Sequence, residues 1–526
     1  MWIFHENYNE FLNKTWYNVG DINLSLDNLR HSLEPWNKDV FGLLEQKKQR
    51  LLNRLAGIQK ATAYPYSAFL LDLEWELQEE LERLLKFEEI KWFQKSKSEW
   101  ITKGDRNTKY YHLKSKMRSR RNMILSLKDA QGNWVDNEEE LKVLVSSHFR
   151  NLYCSPPPDD VELVSRSRFP VVEDLSMSSL SAVPTDVEIK SALFSMGSYK
   201  APRIDGFPPI FYKANWSLVG PVLCTFVKTA FRGEADLKEA NRTLISLIPK
   251  NNKVELVIHF RPISLCTVYY KCITKVIASR LREVMDKIIS PFQSSFLKGR
   301  CIQDNILVGQ EILHVMGKNK SKKGLMAIKI DMEKAYDRIS WLFLKQVLLE
   351  VGFDNNLVNL IINCVSSVSY NVLWNGSLTE FFHPLRGIRQ GDPLSPLLFV
   401  LCMDKLSHLI SDEVESGIWK PIFTSRGGSS VSHLMFADDL LLFGVATETQ
   451  VLCMMSCVQR FMDVSGGKVN TAKSSVFSLL KSLCGLSCVL RKLPICMCLV
   501  RLGGIWGFLY PVIGTPELNS NILLAE

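Results

Sequence analysis

Alternating apolar and polar positions predict a strand and a hairpin in the second half of the chain. LMAIKID (325–331) reads as a strand that ends on Asp331, and apolar residues then recur at helical spacing. VSHLMF and LLLFGV flank a short turn, so residues 431–445 predict a β-hairpin with Asp438 and Asp439 at its tip. Two adjacent carboxylates within an apolar run are costly to bury without a neutralising charge. The tip therefore indicates a cation site.

The N-terminal part of the chain shows a different pattern, which predicts charged helices followed by a break. Apolar spacing favours helices over 39–60 and 67–94, and a third over 137–152 after a turn at 129–134. SPPPDD (155–160) is rich in breakers and marks a domain boundary. Beyond it, alternating apolar strands and helices are typical of a mixed α+β domain.

Length and composition fit this organisation. With 526 residues, 46% hydrophobic and 23% charged, the chain is expected to form a globular protein of two or three domains. Its start, MWIFHENYNE, lacks the pattern of a signal peptide, and no apolar run approaches the ~20 residues of a membrane span. We therefore expect no membrane association, a location in the nucleus or the cytoplasm, and reduced cysteines rather than zinc ligands.

The net charge of +9 is concentrated in one segment. Residues 91–121 hold eleven Lys and Arg against two acids, interleaved with Trp92, Trp100, Tyr110 and Tyr111. Such a segment suits phosphate neutralisation combined with base stacking, although a solvated basic helix face would carry the same charges. The residues expected to contact nucleic acid are Lys103, Arg106, Lys109, Tyr110, Arg118, Arg120 and Arg121.

Three carboxylates from two strands would equip the chain for nucleotidyl transfer. Asp331 ends one strand, and Asp438 and Asp439 follow 107 and 108 positions later. Such a group can hold two Mg²⁺ about 3.5–4 Å apart, which activate a primer 3′-hydroxyl and neutralise the triphosphate. Asp337 is a further acid, but a lysine and an arginine flank it, which favours a structural ion pair.

Several ordered motifs resemble the reverse transcriptases of LINE-type, non-LTR retrotransposons of plants. After the aspartate strand come RQGDPLSP, FADD and SGGKVNTAKS, which are similar to the palm of such an enzyme. Upstream, KSEWITKGDRNTKYYH, LISLIPK, FRPISLCTVYYKCITKVIASRL and IISPFQSSFLKGRCIQDNI resemble the same family. The likeness, over roughly residues 1–480, implies a polymerase that copies an RNA template from a DNA primer or nicked target DNA. It would use dNTPs and two Mg²⁺, or Mn²⁺.

The resemblance also assigns roles to individual residues. Asp331, Asp438 and Asp439 match the metal-binding triad. Tyr336 matches a bulky ring that excludes ribonucleotides by a clash with the 2′-hydroxyl. The remaining matches are the triphosphate-binding cations Lys250 and Arg261, the loop at the incoming nucleotide with Gln390 and Gly391, and a general acid for pyrophosphate at Lys473.

Some neighbouring positions have an interpretation of their own. Lys468 is a rival candidate for the general acid. Arg300 and Asp304 match a fingers motif whose role we expect to be structural. Ser395 and Pro396 predict the N-cap and the first turn of a helix.

The implied fold is α+β: a right-hand polymerase with fingers and palm, preceded by a largely helical, basic N-terminal region. We expect that helical region at 1–154, the fingers at 155–320, the palm at 321–480 and a divergent or truncated tail at 481–526. The sequence is interpreted as a fragment that lacks the endonuclease and a recognisable thumb.

Two functions stay open. The first is the RNA-directed DNA polymerase, which the aspartates, Tyr336 and Gln390 favour. The second is a catalytically degenerate, retrotransposon-derived nucleic-acid-binding protein, which the missing thumb and Arg203-Ile204 favour. The family usually has Gly-Pro at that position, and Arg203 would be strained in a turn that needs a positive φ. An RNA-templated RNA polymerase is disfavoured by Tyr336.

Overall fold

The computed structural model describes residues 2–42, 44–62, 64, 66–96, 108–156, 163–171, 174–201, 203–251, 253–319, 324–425, 427–478 and 496–497. The helices are α1 (Tyr8–Thr15), α2 (Ile22–Phe41), α3 (Leu44–Gln59), α4 (Ala68–Ser96), α5 (Thr108–Asn122), α6 (Glu138–Tyr153), α7 (Asp174–Ser181), α8 (Asp186–Phe194), α9 (Pro209–Ala214), α10 (Trp216–Phe231), α11 (Val268–Ile288), α12 (Ile302–Lys318), α13 (Ala335–Arg338), α14 (Trp341–Glu350), α15 (Asn355–Ser366), α16 (Ser395–Glu415) and α17 (Glu448–Ser465). The strands are β1 (Leu127–Lys128), β2 (Trp134–Val135), β3 (Arg242–Pro249), β4 (Phe260–Leu265), β5 (Leu325–Ile330), β6 (Ser369–Trp374), β7 (Ser377–Leu378), β8 (Ile422–Phe423), β9 (Ser430–Val431), β10 (His433–Phe436), β11 (Asp439–Val445), β12 (Ser475–Ser478) and β13 (Cys496–Met497).

Two larger sheets organise the second half of the chain. The five-stranded sheet has the order β10-β11-β5-β12-β13, and β11 and β12 both run antiparallel to the central β5. The four-stranded sheet has the order β4-β3-β6-β7, with β3 parallel to β6. Helices pack on both sheets, for example α17 on β11 and α5 on β3. The fold is therefore α+β, as the sequence predicted.

Capping groups explain where helices of the N-terminal part begin. Asn137 accepts two backbone N–H groups of the first turn of α6, so the helix predicted over 137–152 is confirmed. The helix predicted over 39–60 begins later, at Leu44, because α2 extends to Phe41. A second predicted helix is observed as α4.

One hydrophobic core joins the first helices to the five-stranded sheet. Leu26 and Leu29 of α2 belong to the same buried cluster as Ile328 of β5 and Leu442 of β11. Helix α6 contributes Val145 and its neighbours to a second cluster with β3, β4 and β6. Helices α3 and α4 pack around a small cluster of their own. The domain boundary at the end of α6 stays a prediction.

The cysteines and the helix lengths complete the description of the fold. Nine cysteines within the described ranges are free thiols, and six of these are buried. None of the described helices combines the length and the apolar character needed to cross a bilayer.

The shared core predicts a stability difference between two leucines of α2. Leu29 is fully buried, whereas Leu24 on the same helix is exposed. We expect Leu29→Ala to lower the free energy of unfolding by about 2–5 kcal/mol, because burial is lost and a cavity remains. Leu24→Ala should change it by less than about 0.5 kcal/mol. Urea denaturation measures both values, and equal effects would show that α2 does not pack in this core.

Candidate active site

The pairing of β5 with β11 brings the predicted metal-binding aspartates together. Leu440 of β11 pairs with Ile330 of β5. Asp331 follows Ile330 and Asp439 precedes Leu440, so both residues lie at the same end of this antiparallel ladder. Asp438 is the next residue in the turn. The three residues selected from the sequence therefore meet at one end of the sheet.

A tight turn at the hairpin tip carries Asp438. The two strands pair as far as Asp439, so Ala437 and Asp438 form a two-residue loop. Ala437 has a φ of +55°, a left-handed value that is uncommon for a residue with a side chain. Its N–H donates to Gln293 Oε1 at 3.1 Å and to Ser295 Oγ at 2.8 Å. These two side chains hold the turn from outside the hairpin.

Gln293 and Ser295 are site residues that sequence reasoning missed. They lie within SPFQSS, a segment quoted for its resemblance but given no role. Arg300 anchors this segment, because it donates to Gln293 O at 2.9 Å and pairs with Asp286 at 2.9 Å. Asp304 accepts a backbone N–H at the start of α12. The contacts of Arg300 and Asp304 are thus of a structural kind.

Burial and the charges of neighbouring acids disfavour ionisation of the two carboxyl groups at the hairpin tip. Burial raises the pKa of Asp438, and the charge of Asp331 raises it further. Burial and then the charge of Asp438 raise the pKa of Asp439 to about 7. Lys329 opposes this rise, and its Nζ lies 4.0 Å from Asp439 Oδ1. A further positive charge at this end of the sheet would stabilise the ionised trio.

The donor atoms fit a hard divalent cation by type, since carboxylate oxygens are the ligands that Mg²⁺ prefers. A bound divalent cation would also lower the raised pKa values of Asp438 and Asp439. Within the described ranges, however, no group of three or more His, Cys, Asp or Glu side chains is arranged to hold a metal ion. The magnesium site expected at Asp331, Asp438 and Asp439 therefore stays a prediction.

Cations lie beside the aspartates. The exposed Lys250 follows β3, and its ammonium donates to Ile258 O at 3.0 Å. Burial lowers the pKa of Lys250, and the charges of Lys473 and Arg261 lower it further, whereas Asp331 acts in the opposite direction. The three predicted cations therefore share one electrostatic environment with the carboxylates.

The two rival lysines of the GGKVNTAK segment differ in their contacts. Lys468 forms an ion pair with Glu333 at 3.3 Å. Lys473 is exposed, and its charge acts to lower the pKa of both Asp438 and Asp439. Of the two lysines, Lys473 is thus the one whose charge acts on Asp438 and Asp439.

Asp337 does not form the ion pair that its flanking residues predicted. Arg338 pairs with Glu333 at 3.3 Å, and Lys334 Nζ lies 2.8 Å from His148 Nε2. That prediction is therefore wrong, because Arg338 is paired with its near neighbour Glu333 and Lys334 with His148 of α6. Burial lowers the pKa of His148 to about 4, so its neutral ring accepts a hydrogen bond from Lys334.

The loop with Gln390 and Gly391 lies against β4 and α13. Gln390 O accepts the N–H of Ser264 at 2.8 Å. Gly391 has a φ of +106°, and a Cβ there would come 3.1 Å from Ser264 O, so glycine permits this close approach. Gln390 Nε2 lies 3.3 Å from each carboxylate oxygen of Asp337. Arg389 is buried and donates to a main-chain carbonyl of α15 at 2.7 Å, which gives it a structural role.

Tyr336 lies between the aspartates and α16. Its ring stacks on Phe399 with centroids 4.5 Å apart and an interplanar angle of 13°. Burial raises the pKa of Tyr336, and the charge of Asp438 acts in the same direction. At the start of α16, Pro396 lies in the first turn as predicted, but the N-cap role predicted for Ser395 is wrong, because the helix already includes it and no side chain caps the helix.

The turn at Arg203 is not strained. Neither Arg203 nor Ile204 has a positive φ, and the left-handed residue of this segment is Gly206, with a φ of +80°. The prediction of backbone strain at Arg203 is therefore wrong. Its buried guanidinium lies near Asp205. Burial lowers the pKa of Arg203, and the charge of Asp205 raises it.

Helix α5, which carries residues 108–121 of the basic segment, adjoins β3. Arg121, at the C-terminal end of α5, lines a cavity together with Pro249 and Phe260. Pro249 directly precedes Lys250 in the chain. The predicted nucleic-acid contacts on α5 are the exposed Tyr110, Arg120 and Arg121 and the half-buried Arg118, whereas Lys103, Arg106 and the side chain of Lys109 lie outside the described residues.

Residues 248–494 match the model of a protein family described as "Reverse transcriptase (RNA-dependent DNA polymerase)". This segment is a reverse transcriptase domain. It contains the predicted polymerase residues Lys250, Arg261, Asp331, Tyr336, Gln390, Gly391, Asp438, Asp439 and Lys473.

Several relatives are proteins of transposable elements. The "Transposon TX1 uncharacterized 149 kDa protein" of Xenopus laevis is 26% identical over 464 residues, which cover 88% of this chain and 34% of the relative. The "Retrovirus-related Pol polyprotein from type-1 retrotransposable element R2" of Popillia japonica is 30% identical over 254 residues, 47% of this chain and 33% of the relative. The chain thus spans about a third of the length of these two relatives. An uncharacterized mitochondrial protein of Arabidopsis thaliana is 46% identical over 65 residues, 12% of this chain and 53% of the relative.

Some residues that support the reverse transcriptase domain precede it in the chain. His148 and Tyr153 of α6 contact Lys334 and Asp337 inside the domain. No sequence signal marks them, because a contact across 184 to 186 positions has no local pattern.

Two glycines of the domain test the close packing of the Gln390 loop. Gly387 and Gly376 both have a left-handed φ, +92° and +98°, but only a Cβ at Gly387 would meet a backbone atom, Asp337 O at 2.7 Å. Gly376→Ala should cost about 1–2 kcal/mol for the backbone conformation alone. Gly387→Ala should cost about 1–3 kcal/mol more, because the loop must move. Urea denaturation measures the difference, and equal losses would contradict the close approach.

Proposed function

We propose that this domain is an RNA-directed DNA polymerase of a non-LTR retrotransposon, which joins dNTPs to a primer 3′-hydroxyl by two-metal nucleotidyl transfer. The observation that carries the proposal is the β5–β11 register, whose last pair is Ile330 and Leu440, so that Asp331, Asp438 and Asp439 lie at one end of the ladder. A trio of acids beside a group of cations suits a reaction that brings together metal ions and a polyphosphate.

The protein's own residues have separate tasks in this reaction. The carboxylates of Asp331, Asp438 and Asp439 bind the metal ions at the end of the sheet. Two Mg²⁺ held by these carboxylates would supply activation of the primer hydroxyl and neutralisation of the triphosphate. Lys473 gives a proton to the departing pyrophosphate. Lys468 is the poorer candidate, because it is paired with Glu333.

The nucleotide site has a cationic side and an aromatic side. Lys250 and Arg261 bind the triphosphate as a point charge and a planar donor group. The ring of Tyr336 stacks on Phe399, which fixes its position, and it excludes ribonucleotides by a steric clash with the 2′-hydroxyl. Gln390 and Gly391 contact the incoming nucleotide and the template.

The nucleic-acid partners follow from the basic surface. Arg120 and Arg121 of α5 are exposed beside the β3–β4 hairpin, where they can neutralise phosphates of an RNA template or a DNA primer.

The similarity to an Arabidopsis thaliana protein supports a plant element as the source. The nucleus is the compartment where such a polymerase would meet nicked target DNA.

A second candidate function is a degenerate protein that binds nucleic acid without synthesis. The observation that favours it is the lack, within the described ranges, of a side-chain group arranged to hold a metal ion. The basic helix α5 would serve binding in either case.

Primer extension separates the two candidates. We expect the chain to extend oligo(dT) on poly(rA) with dTTP and Mg²⁺. Asp438→Asn should lower the rate at least about 100-fold, because the trio loses a metal-binding charge. Asp463→Asn, an exposed aspartate on α17, is the matched control and should keep the wild-type rate.

Each outcome of that assay has a distinct meaning. Equal extension by wild type and Asp438→Asn would remove the assigned metal site. Tight binding of the template–primer, measured by fluorescence anisotropy, without any extension would support the degenerate binding protein.

Sugar selection tests the role of Tyr336. We expect Tyr336→Ala to raise incorporation of UTP relative to dTTP by about tenfold or more, because the clash with the 2′-hydroxyl is removed. The ratio of kcat/KM for the two nucleotides measures the change. Phe399→Leu should raise the same ratio less, since it loosens the ring without deleting it. An unchanged ratio in Tyr336→Ala would exclude Tyr336 as the selecting residue.

A further inference from the structure

The C-terminal end of α6 is bonded to the loop that carries Gln390. The last carbonyl groups of a helix have no partner within that helix. Here the Leu385 N–H donates to Tyr153 O at 2.9 Å, and Arg386 Nε donates to Leu152 O at 3.1 Å. The end of α6 and the loop therefore form one hydrogen-bonded unit.

Side chains extend this contact toward the nucleotide site. The Tyr153 hydroxyl donates to Asp337 Oδ1 at 2.8 Å, and Gln390 Nε2 lies 3.3 Å from both carboxylate oxygens. Tyr153 and Asp337 are 3% and 1% exposed, whereas Gln390 is half-buried. The three side chains connect the interior of α6 to the edge of the site.

Asp337 determines which end of the Gln390 amide faces it. An ionised carboxylate only accepts hydrogen bonds, so it binds the amide NH₂ and repels the amide oxygen. Burial raises the pKa of Asp337 to about 6, and the hydrogen bonds from Tyr153 and Gln390 act in the opposite direction. The NH₂ group of Gln390 is the end that faces Asp337, so Gln390 Oε1 is the end left to accept from a ligand.

We propose that Tyr153 and Asp337 are positioning residues of the nucleotide site, which orient the Gln390 amide for the incoming dNTP. The inference rests on the proposed polymerase function and extends its machinery to a helix ahead of the matched domain. The family match begins at residue 248, so Tyr153 lies outside it.

Removal of one hydroxyl group tests the inference. Tyr153→Phe deletes the hydroxyl and keeps the ring. Tyr64→Phe is the matched control, because the Tyr64 hydroxyl donates to Glu74 Oε2 at 2.6 Å within the separate α3–α4 cluster. On poly(rA)/oligo(dT), Tyr153→Phe should raise KM for dTTP about three- to tenfold and change kcat less than about twofold. Tyr64→Phe should leave both constants unchanged.

A second variant distinguishes positioning from stability. Asp337→Asn keeps the size of the side chain but replaces one acceptor oxygen by an NH₂ donor, which opposes the NH₂ group of Gln390 instead of accepting from it. We expect the same rise in KM for dTTP with an unchanged or higher Tm, because a buried charge is removed. A lower Tm with an unchanged KM would show a purely structural role and overturn the inference.

A double-mutant cycle tests whether Tyr153 acts through Gln390. In the Gln390→Ala background, Tyr153→Phe should add no further rise in KM, because the amide to be oriented is absent. A full additional rise, or no effect of Tyr153→Phe in the wild-type background, would overturn the inference and leave the polymerase function intact. A wild-type chain without any extension would overturn the polymerase function and the inference with it.

Discussion

The antiparallel register between β5 and β11 is the constraint on which the candidate site depends. Side chains alternate between the two faces of a sheet, so a slip of one residue would send Asp331 and Asp439 to opposite faces. Buried apolar residues on both strands, such as Ile328 and Leu442, specify the register through the core. The apolar packing of the sheet thus holds together acids whose charges repel each other, and the nearby cations reduce that repulsion.

The turn between β10 and β11 shows a second form of support. Ala437 adopts a left-handed φ that its own sequence does not favour, and its N–H is bound by Gln293 and Ser295. Arg300 in turn binds the Gln293 carbonyl. A motif far from the hairpin in sequence therefore fixes the geometry at Asp438, which explains why residues without any chemistry of their own belong to the description of the site.

Local sequence patterns predicted those structural elements that depend on interactions between residues close in the chain. The strand before Asp331, the hairpin around Asp438 and the helix that begins after Asn137 follow from alternation, turn length and capping, and the structure has all three. The expected ion pair of Asp337 was wrong, because its real partners come from α6 and the Gln390 loop, which no sequence spacing reveals. The roles of the predicted site residues stay predictions, since geometry brings the groups together but does not measure what they do.

The bond between α6 and the Gln390 loop couples two stretches of sequence that would otherwise diverge independently. Tyr153 and His148 each meet a partner within the aspartate segment, at Asp337 and Lys334. A substitution in one stretch therefore alters the selection on the other. Chimaeras between related elements should function best when the segment from α6 onward is exchanged as a single block, because both sides of these contacts then come from one chain.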